Sequence, residues 1–500
     1  MEGFHRQVLV GSGQRYLGVD LGTSATRAVI IDDGGLVVAS ASVAHQTRRA
    51  TAGVAEQDPS EWASGLRSAL ARLGDELSSV SGTGLCGQTP TVVLVSDTGK
   101  TIGPALTWQD TRAFAEAQEL AEKFGDPAPL IGTRLPWSPA NMPAKLLWLS
   151  RHRPLEISTV RWILQPKDLL GLELTGNPVS DPWSSKGLCR VSDGSPVAEV
   201  LEACGWSPEV CPATAPAWQA RGAVTHEASE KFGLPIGSPV SVGWSDALSQ
   251  MLAAGSFERS SAFMFSGTSS IVGSPVGKEG VSASGLFNVP PTCAPCEVLY
   301  GPTETGGSTV EWAARLLGCQ PAEVPALAAT ASGPLPLFVP YLSGERAPLW
   351  DQDVRALFLG VSERHGRAEI ARAVLVGVFL SARHVLSLVE EATAEHISEV
   401  EVVGRGVGDP TWEAIGLNAM GLTLRFHADA DMSARGAAML GAAAAGVEVE
   451  EASRRLVDST RRVEPDRTGL GSSRALLDAY RRAGDISIAW KETQTLLGNN

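Results

Sequence analysis

The sequence predicts an α/β protein, and three observations support this class. Strand-like apolar runs alternate with amphipathic helical stretches along most of the chain. The 500 residues suffice for two or more domains, each able to bury a substantial core. Two glycine-centred turns, more than two hundred residues apart, each separate two apolar runs in the manner of a β-hairpin.

The two turns share the sequence Gly-Thr-Ser, at residues 22–24 and 267–269. A glycine lets the backbone turn tightly and leaves N–H groups free to face an anion, with hydroxyl groups beside them. Only the first turn follows an acid, Asp20, in the place where a carboxylate would serve a magnesium-bound phosphate. Because Gly-Thr-Ser also occurs in ordinary turns, either turn alone is a weak signal for a phosphate site.

The other elements of the first half follow in chain order. We expect strands between residues 16 and 42, and a short strand over 238–243 that ends just before Asp246. Asp246 then begins a helix that continues through residue 253. Between residues 42 and 238, the pattern predicts a helix over 59–73, then strand, loop and strand over 82–95. Helices over 111–124 and from Pro143 onward follow, and then irregular structure over 179–216.

The second half restarts the pattern at Ala262, which suggests a weak internal duplication visible only as two matching hairpins. We expect a long helix over 369–391, a strand over 400–403, an Ala/Gly-rich helix over 431–445 and a closing helix over 470–490. The domain boundary is expected after residue 254, beside a Gly-Ser pair, so that the chain divides into 1–254 and 255–500.

The composition indicates a soluble globular protein, with 43% hydrophobic and 19% charged residues. A formal net charge of −14 argues against nucleic acid or an anionic membrane as a general partner. We expect no signal peptide and no membrane span, and seven unpatterned cysteines suit a reducing cytoplasm. Cys293 and Cys296 have a metal-like spacing, but two free thiols are the favoured interpretation because no second pair lies nearby in sequence.

A series of short segments, from about Tyr16 to Gly446, follows the order seen in a known family. It includes Gly87-Gln88, Trp-Gln-Asp-Thr-Arg at 108–112, Lys145 with Leu-Leu-Trp-Leu after it, Gly-Trp-Ser-Asp-Ala at 243–247, Tyr-Leu-Ser-Gly-Glu-Arg-Ala-Pro at 341–348, and Gly-Arg-Gly at 404–406. On these segments the chain resembles the FGGY family of carbohydrate kinases, within the actin/hexokinase/Hsp70 ATPase fold. The resemblance implies two actin-like (ribonuclease H-like) lobes with a nucleotide and sugar cleft between them.

The resemblance also implies a reaction, in which ATP with Mg²⁺ phosphorylates a hydroxyl group of a small sugar. Such a transfer needs in-line placement, charge neutralisation and a base for the hydroxyl proton. Asp246 stands where the family has its catalytic carboxylate, and it would also contact the sugar and the metal. The residues alone favour a helix-capping role for Asp246; the resemblance reverses that preference, and one role does not exclude the other.

The resemblance assigns the nucleotide to three segments. The two Gly-Thr-Ser turns would hold the phosphates, Asp20 would serve the magnesium, and the glycine loop at 404–406 would lie on the adenosine side. Arg405 departs from the plainer glycine-rich run of the family and leaves the nucleotide contacts of this loop open. The expected cofactor-binding residues are Asp20, Gly22, Thr23, Ser24, Arg27, Gly267, Thr268, Ser269, Gly404, Arg405 and Gly406, and the expected metal ligands are Asp20 and Asp246.

Sugar recognition is expected from Gln88, Thr89, Trp108, Asp110 and Arg112, together with Asp246. Many xylulose-acting members have Met-His-Gly after the Gly-Gln pair, whereas this chain has Thr-Pro-Thr at 89–91. The change removes an imidazole that could bind a sugar hydroxyl, and a lost hydrogen-bonding group alters discrimination.

Three functions therefore stay open at this point. The leading hypothesis is a kinase of a ketose such as xylulose. A kinase of glycerol, erythritol or another polyol is the first alternative, because of the missing imidazole. The second is a catalytically silent sugar- or nucleotide-sensing protein that has kept the fold. The oligomeric state stays open between a monomer and the homodimer that members of the family often form.

Overall fold

A computed structural model describes residues 13–134, 136–259, 261–277, 280–428, 431–456, 460–465 and 470–496, and it confirms the α/β class. The strands are β1 Arg15–Leu21, β2 Ala25–Asp32, β3 Val37–Ala44, β4 Glu56–Gln57, β5 Val80–Gly87, β6 Val93–Val95, β7 Ala105–Leu106, β8 Trp162–Leu164, β9 Val179–Ser180, β10 Ala213–Thr214, β11 Ala220–Ala223, β12 Pro239–Ser241, β13 Trp244–Ser245, β14 Ala262–Ser266, β15 Ser270–Val276, β16 Phe287–Val289, β17 Glu297–Pro302, β18 Leu337–Val339, β19 Leu357–Leu359, β20 Glu399–Gly404, β21 Thr423–His427 and β22 Thr460–Val463.

The helices are α1 Pro59–Leu73, α2 Phe114–Phe124, α3 Ala128–Ile131, α4 Met142–His152, α5 Pro154–Ile157, α6 Pro166–Thr175, α7 Ala198–Ala203, α8 His226–Phe232, α9 Asp246–Ala253, α10 Ser256–Arg259, α11 Gly307–Leu317, α12 Val324–Ala329, α13 Arg367–Thr393, α14 Pro410–Met420, α15 Met432–Ala444, α16 Val449–Arg455 and α17 Leu470–Leu496.

The chain divides into two compact units. The first contains Met1–Gly132, Trp137–Gly255 and Asp431–Asp458, and the second contains Thr133–Pro136, Ser256–Ala430 and Ser459–Asn500. The main change of unit falls beside the boundary that the sequence predicts after residue 254. The segment Asp431–Asp458 nevertheless belongs with the first unit, although it lies far beyond that boundary in the chain.

The first unit is built on a sheet of order β11-β12-β5-β1-β2-β3, and β13 also pairs with β5. Strands β1 and β2 are antiparallel on either side of residues 22–24, so the first predicted hairpin is confirmed. Strands β1 and β13 run parallel to β5, with Asp20 and Trp244 both opposite Cys86. This register brings the end of β1 and the start of α9 to the same edge of the sheet.

Helix α15 packs on this sheet at unusually close range, because glycines line the contact. A Cβ atom placed on Gly18 of β1 would lie 1.8 Å from the carbonyl oxygen of Ala434, and one on Gly84 of β5 would lie 1.7 Å from that of Ala437. Helix α15 also meets α9, where a Cβ on Gly436 would lie 1.8 Å from the Ser249 carbonyl oxygen. The Ala/Gly-rich composition of α15 therefore follows from its position against bare backbone.

The second unit repeats the central part of this arrangement in a sheet of order β16-β17-β15-β14-β20-β21-β22. Strands β14 and β15 form an antiparallel hairpin around residues 267–269, which confirms the second predicted hairpin. Strand β20 then runs parallel to β14, as β5 does to β1. The shared pattern of hairpin and parallel neighbour supports the internal duplication that the sequence suggests.

Helix α13 is the central helix of the second unit. Among the described residues it is the one helix long and apolar enough to span a membrane by length and composition, whereas the sequence pattern predicted no such run. Within its most apolar window, 72% of the residues are buried inside the protein. Its neighbours are α11, α12, α14 and β15, so packing in a core accounts for its apolar composition.

Candidate active site

The first Gly-Thr-Ser turn is closed by a hydrogen bond from the Gly22 N–H to the Ala25 carbonyl, at 3.0 Å. Thr23 is held from two sides: its hydroxyl accepts a bond from the Trp108 indole at 3.1 Å, and its carbonyl accepts one from the Gln57 amide at 2.7 Å. Ser24 is exposed. The structure thus links the predicted phosphate turn directly to Trp108, a residue predicted for the sugar.

Asp20, the last residue but one of β1, is 3% exposed. Burial raises the pKa of its carboxyl group, and the Arg27 guanidinium, 3.3 Å away, offsets part of that rise. The Cys86 thiol donates to the other carboxyl oxygen at 3.5 Å, and Arg27 also pairs with Asp431 at 3.4 Å. Asp20 and Arg27, both predicted for the nucleotide, therefore lie together beside the first turn.

Asp246 is the first residue of α9, as the sequence predicts, but it is not the residue that caps the helix. The Ser245 hydroxyl accepts the capping bond from the Leu248 N–H at 3.4 Å, while the Asp246 carboxylate accepts from the Ala247 N–H at 2.7 Å. The capping interpretation of Asp246 is therefore wrong.

Burial raises the pKa of Asp246 to about 7, and repulsion from the Asp20 carboxylate adds to the rise. The Lys186 ammonium counteracts it in part. A carboxyl group that changes its charge near neutral pH is suited to accept a proton during a reaction. Lys186 was not singled out from the sequence, because it lies in the irregular stretch between β9 and α7.

Gln88 follows directly on β5 and lies beside the first turn. Its backbone N–H donates to the Leu21 carbonyl at 2.9 Å, and its side-chain amide donates to Gln57 at 2.7 Å. Thr89, the next residue, is half-buried. The structure therefore brings Gln88 and Trp108 of the predicted sugar set together around Thr23, and it adds Gln57, which the sequence did not predict, as the link between Gln88 and Thr23.

Asp110 and Arg112 lie in an ion network that the sequence did not predict. Arg112 donates to Asp110 at 2.8 Å and to Glu56 at 2.7 Å, and Asp110 also accepts from the Ala55 N–H at 2.9 Å. Arg112 stacks over the Trp148 ring at 4.5 Å. Both predicted sugar residues thus have strong internal partners, and their contact with a substrate stays a prediction.

Lys145, known from the sequence only as part of a family segment, is fully buried on α4. Its ammonium donates to the Thr107 carbonyl at 2.6 Å and to the Pro90 carbonyl at 3.2 Å. Burial lowers its pKa to about 7, although the Asp110 charge favours protonation. Lys145 therefore ties together the two loops that carry Gln88 and Trp108.

The second turn belongs to the second unit and is also held by its neighbours. The Gly267 N–H donates to the Ser269 carbonyl at 2.9 Å, while the Gly267 carbonyl accepts from the Gly307 N–H at the start of α11, at 2.9 Å. Gly267 and Thr268 are exposed. Arg346 donates to the Ser269 hydroxyl at 2.9 Å, so a guanidinium group stands at this turn.

The predicted adenosine loop follows β20. Gly404 and Gly406 have φ angles of 104° and 92°, a region that favours glycine, and a Cβ on Gly406 would collide with the Trp412 ring. Arg405 between them pairs with Glu311 of α11 at 2.6 Å, both side chains being exposed. The loop is thus bare backbone next to an exposed ion pair.

No group of three or more His, Cys, Asp or Glu side chains with the spacing of a metal site occurs among the described residues. Cys293 and Cys296 are free thiols. The carboxylates that could bind a cation here are those of Asp20 and Asp246: repulsion from Asp20 raises the pKa of Asp246, and oxygen ligands of this kind suit Mg²⁺.

Two α/β units, each with a Gly-Thr-Ser hairpin, and a buried carboxyl group beside the first hairpin agree with the resemblance to the class of carbohydrate kinases. The family models identify the group within that class. The model for the N-terminal domain of the FGGY family of carbohydrate kinases matches residues 15–253, and that for the C-terminal domain matches 262–445. The chain is a member of the FGGY family of carbohydrate kinases.

Individual relatives agree with this assignment. The chain is 31% identical to a xylulose kinase of Klebsiella pneumoniae over 85% of this chain and 89% of that protein. It is 30% identical to a xylulose kinase of Escherichia coli K12 over 87% and 90%. Among solved structures, a xyloylose kinase from Brucella ovis aligns with a TM-score of 0.84 at 27% identity, covering 97% of this chain and 100% of the other.

Proposed function

We propose that this carbohydrate kinase transfers the γ-phosphoryl group of ATP to a hydroxyl group of a small ketose such as xylulose. The observation that carries the proposal is the Asp246 carboxylate, with its pKa of about 7, at the sheet edge that also holds Asp20 and the first turn. The names of the relatives at 30–31% identity support the choice of a ketose.

In this proposal Asp246 accepts the proton of the sugar hydroxyl. The sugar oxygen forms a bond to the γ-phosphorus, the bond from that phosphorus to the bridging oxygen breaks, and ADP leaves. Because the Asp246 carboxyl group has a pKa close to neutral, a large fraction is deprotonated in the cell and its affinity for the proton is still substantial.

We assign Mg²⁺ to the carboxylates of Asp20 and Asp246. Their mutual repulsion and burial make the pair a poor place for two uncompensated negative charges, and a divalent cation removes that penalty. When bound, the ion neutralises charge on the phosphate oxygens. Arg27, between Asp20 and Asp431, supplies a further positive charge beside the first turn.

ATP is expected to contact both turns and the 404–406 loop. Ser24 and Thr268 are exposed residues of the two turns, and hydroxyl and backbone N–H groups at such turns suit phosphate oxygens. The Ser269 hydroxyl is already bonded to Arg346, so we assign that guanidinium a share in phosphate binding through Ser269.

The sugar is assigned to Gln88, Thr89 and Trp108, with Asp110 and Arg112 as supports of that loop. A polyol such as glycerol or erythritol is the second candidate substrate, because Thr-Pro-Thr at 89–91 has no imidazole. A panel of pentuloses, hexuloses and polyols, assayed by coupled detection of ADP, separates the two. A polyol turned over with a kcat/KM tenfold above that of every ketose would overturn the choice of a ketose.

The catalytic assignment is tested by Asp246→Asn, which keeps the shape of the side chain and loses the base. We expect kcat to fall by about 10²–10⁴-fold while ATP binding changes little. Asp97→Asn, at an exposed turn after β6, is the matched control and keeps full activity. Sugar phosphorylation by Asp246→Asn at the rate of the control would reject the mechanism.

We also propose a cytoplasmic location and a domain boundary after residue 254. All seven cysteines lie in the described part of the chain and are free thiols, which suits a reducing compartment. Cell fractionation tests the location, and limited proteolysis with mass spectrometry tests the boundary.

A further inference from the structure

Gln57, the second residue of β4, uses its side-chain amide to join four segments of the first unit. It is 2% exposed. Its nitrogen donates to the Thr23 carbonyl at 2.7 Å and to the Thr47 hydroxyl at 2.8 Å. Its oxygen accepts from the Trp62 indole at 3.1 Å and from the Gln88 amide at 2.7 Å. Every hydrogen-bonding position of this amide is therefore occupied by protein.

The partners of Gln57 determine which way its amide faces. An indole N–H can only donate, so the Gln57 oxygen must face Trp62. A backbone carbonyl can only accept, so the Gln57 nitrogen must face Thr23. Gln88 meets the oxygen of Gln57 and must therefore present its own nitrogen to it. The orientation of both glutamines follows from two partners that cannot exchange roles.

The consequence falls on the carbonyl oxygen of Gln88. With its nitrogen turned to Gln57, this oxygen is left as an acceptor, and it has no hydrogen-bond partner within the described protein. Gln88 is 1% exposed, so the oxygen is a buried acceptor without a donor. Such a group is costly in free energy until a donor reaches it.

We propose that Gln57 is a positioning residue for sugar recognition: it holds Gln88 so that the Gln88 oxygen accepts a hydrogen bond from a substrate hydroxyl. This rests on the proposed function, in which Gln88 contacts the sugar and Thr23 contacts a phosphate. Gln57 connects the sugar contact to the phosphate turn, because its one amide is hydrogen-bonded both to Gln88 and to the Thr23 carbonyl. The ligand class is an alcohol donor, as in a ketose or a polyol, and a deoxy sugar without that hydroxyl is disfavoured.

Kinetics of single and double variants test this role. Gln57→Leu removes the amide at similar volume, and Gln88→Leu removes the acceptor itself. We expect each to raise the KM of the best sugar of the panel by about tenfold, the size of one lost hydrogen bond to a substrate. In the Gln88→Leu background, Gln57→Leu is expected to add less than about twofold, because its effect on the sugar passes through Gln88.

A purely structural role gives a different result. The control Asn288→Leu removes another amide, which donates to Val281 and Glu297 at 2.7 and 2.6 Å in the second unit. It is expected to lower the melting temperature without changing the sugar KM. The proposal would be overturned if Gln57→Leu raised the sugar KM equally in the wild type and in the Gln88→Leu background. It would also be overturned if Gln57→Leu lowered the melting temperature and left the sugar KM unchanged.

A second variant covers the case in which Gln57→Leu does not fold. Gln57→Glu keeps an acceptor for Trp62 and Gln88 and loses the donor to Thr23, so the ATP KM should rise more than the sugar KM. The reverse order contradicts the proposal. Full activity of Asp246→Asn would instead show that the proposed function fails, whereas loss of activity there with no Gln57 effect rejects the positioning role alone.

Discussion

Replacing Gly84 by alanine should separate helix α15 from the central sheet of the first unit. The added Cβ would lie 1.7 Å from the Ala437 carbonyl oxygen and 2.5 Å from the Gly441 nitrogen. Both are backbone atoms of one helix, so no side-chain rotation can remove the collision. Because an ordinary contact needs about 3.4 Å, the helix or the strand must move by more than about 1.5 Å.

Such a displacement opens a tightly packed contact, and overpacking in a core costs about 1–3 kcal/mol. We expect the upper end of this range, since the obstructing atoms belong to the backbone on both sides. For a unit of this size, a loss of about 3 kcal/mol corresponds to a fall of about 6–12 °C in the melting temperature. Activity should also fall, because Cys86, two residues along β5, bonds Asp20 and the Ser433 carbonyl of α15.

Differential scanning calorimetry of the whole protein measures the effect. The control is Gly333→Ala, at a glycine with no neighbouring atom within 4 Å, which should melt like the wild type. A Gly84→Ala protein that melts within about 1 °C of this control would refute the reasoning.

Two further predictions concern buried charges whose pKa lies near 7. Folding raises the pKa of Asp246 from 3.8 to about 7, so the wild type loses stability as the pH rises from about 4 to 7. The melting temperature of Asp246→Asn should therefore exceed that of the wild type by more at pH 8 than at pH 4. An equal difference at both pH values would contradict the pKa shift. Folding lowers the pKa of Lys145 from 10.5 to about 7, so the wild type gains stability as the pH rises from 7 to 10. The melting temperature of Lys145→Met minus that of the wild type should therefore be larger at pH 7 than at pH 9.5. A difference that does not change with pH would reject this prediction.

The parts of the fold that the sequence predicted depend on local patterns. The hairpins around residues 22–24 and 267–269 and the helix from Asp246 each follow from a few consecutive residues, and all three are confirmed. The N-cap was assigned wrongly, since Ser245 and Asp246 are both good capping residues and only the backbone geometry separates them.

The parts that the sequence did not predict depend on contacts between distant residues. Gln57 meets Thr23 and Gln88 across 34 and 31 positions, and Glu56 meets Arg112 across 56. Glu and Gln just before a helix look like ordinary polar residues, and no spacing rule connects them to the Gly-Thr-Ser turn. Their roles become visible only once the strand register is known.

The backbone-to-backbone contact between α15 and the sheet has a consequence for the synthesis of the protein. The ribosome completes β1 about 410 residues, and β5 about 345 residues, before it begins Met432–Ala444, yet Gly18 and Gly84 pack directly against the backbone of that helix. Until then the nascent first unit exposes an unfinished face, so synthesis of the second unit must proceed while the first waits for its last piece. A truncated product that stops at residue 254 would leave that face of the sheet permanently exposed. We expect chaperones to bind this product more strongly than the full-length protein.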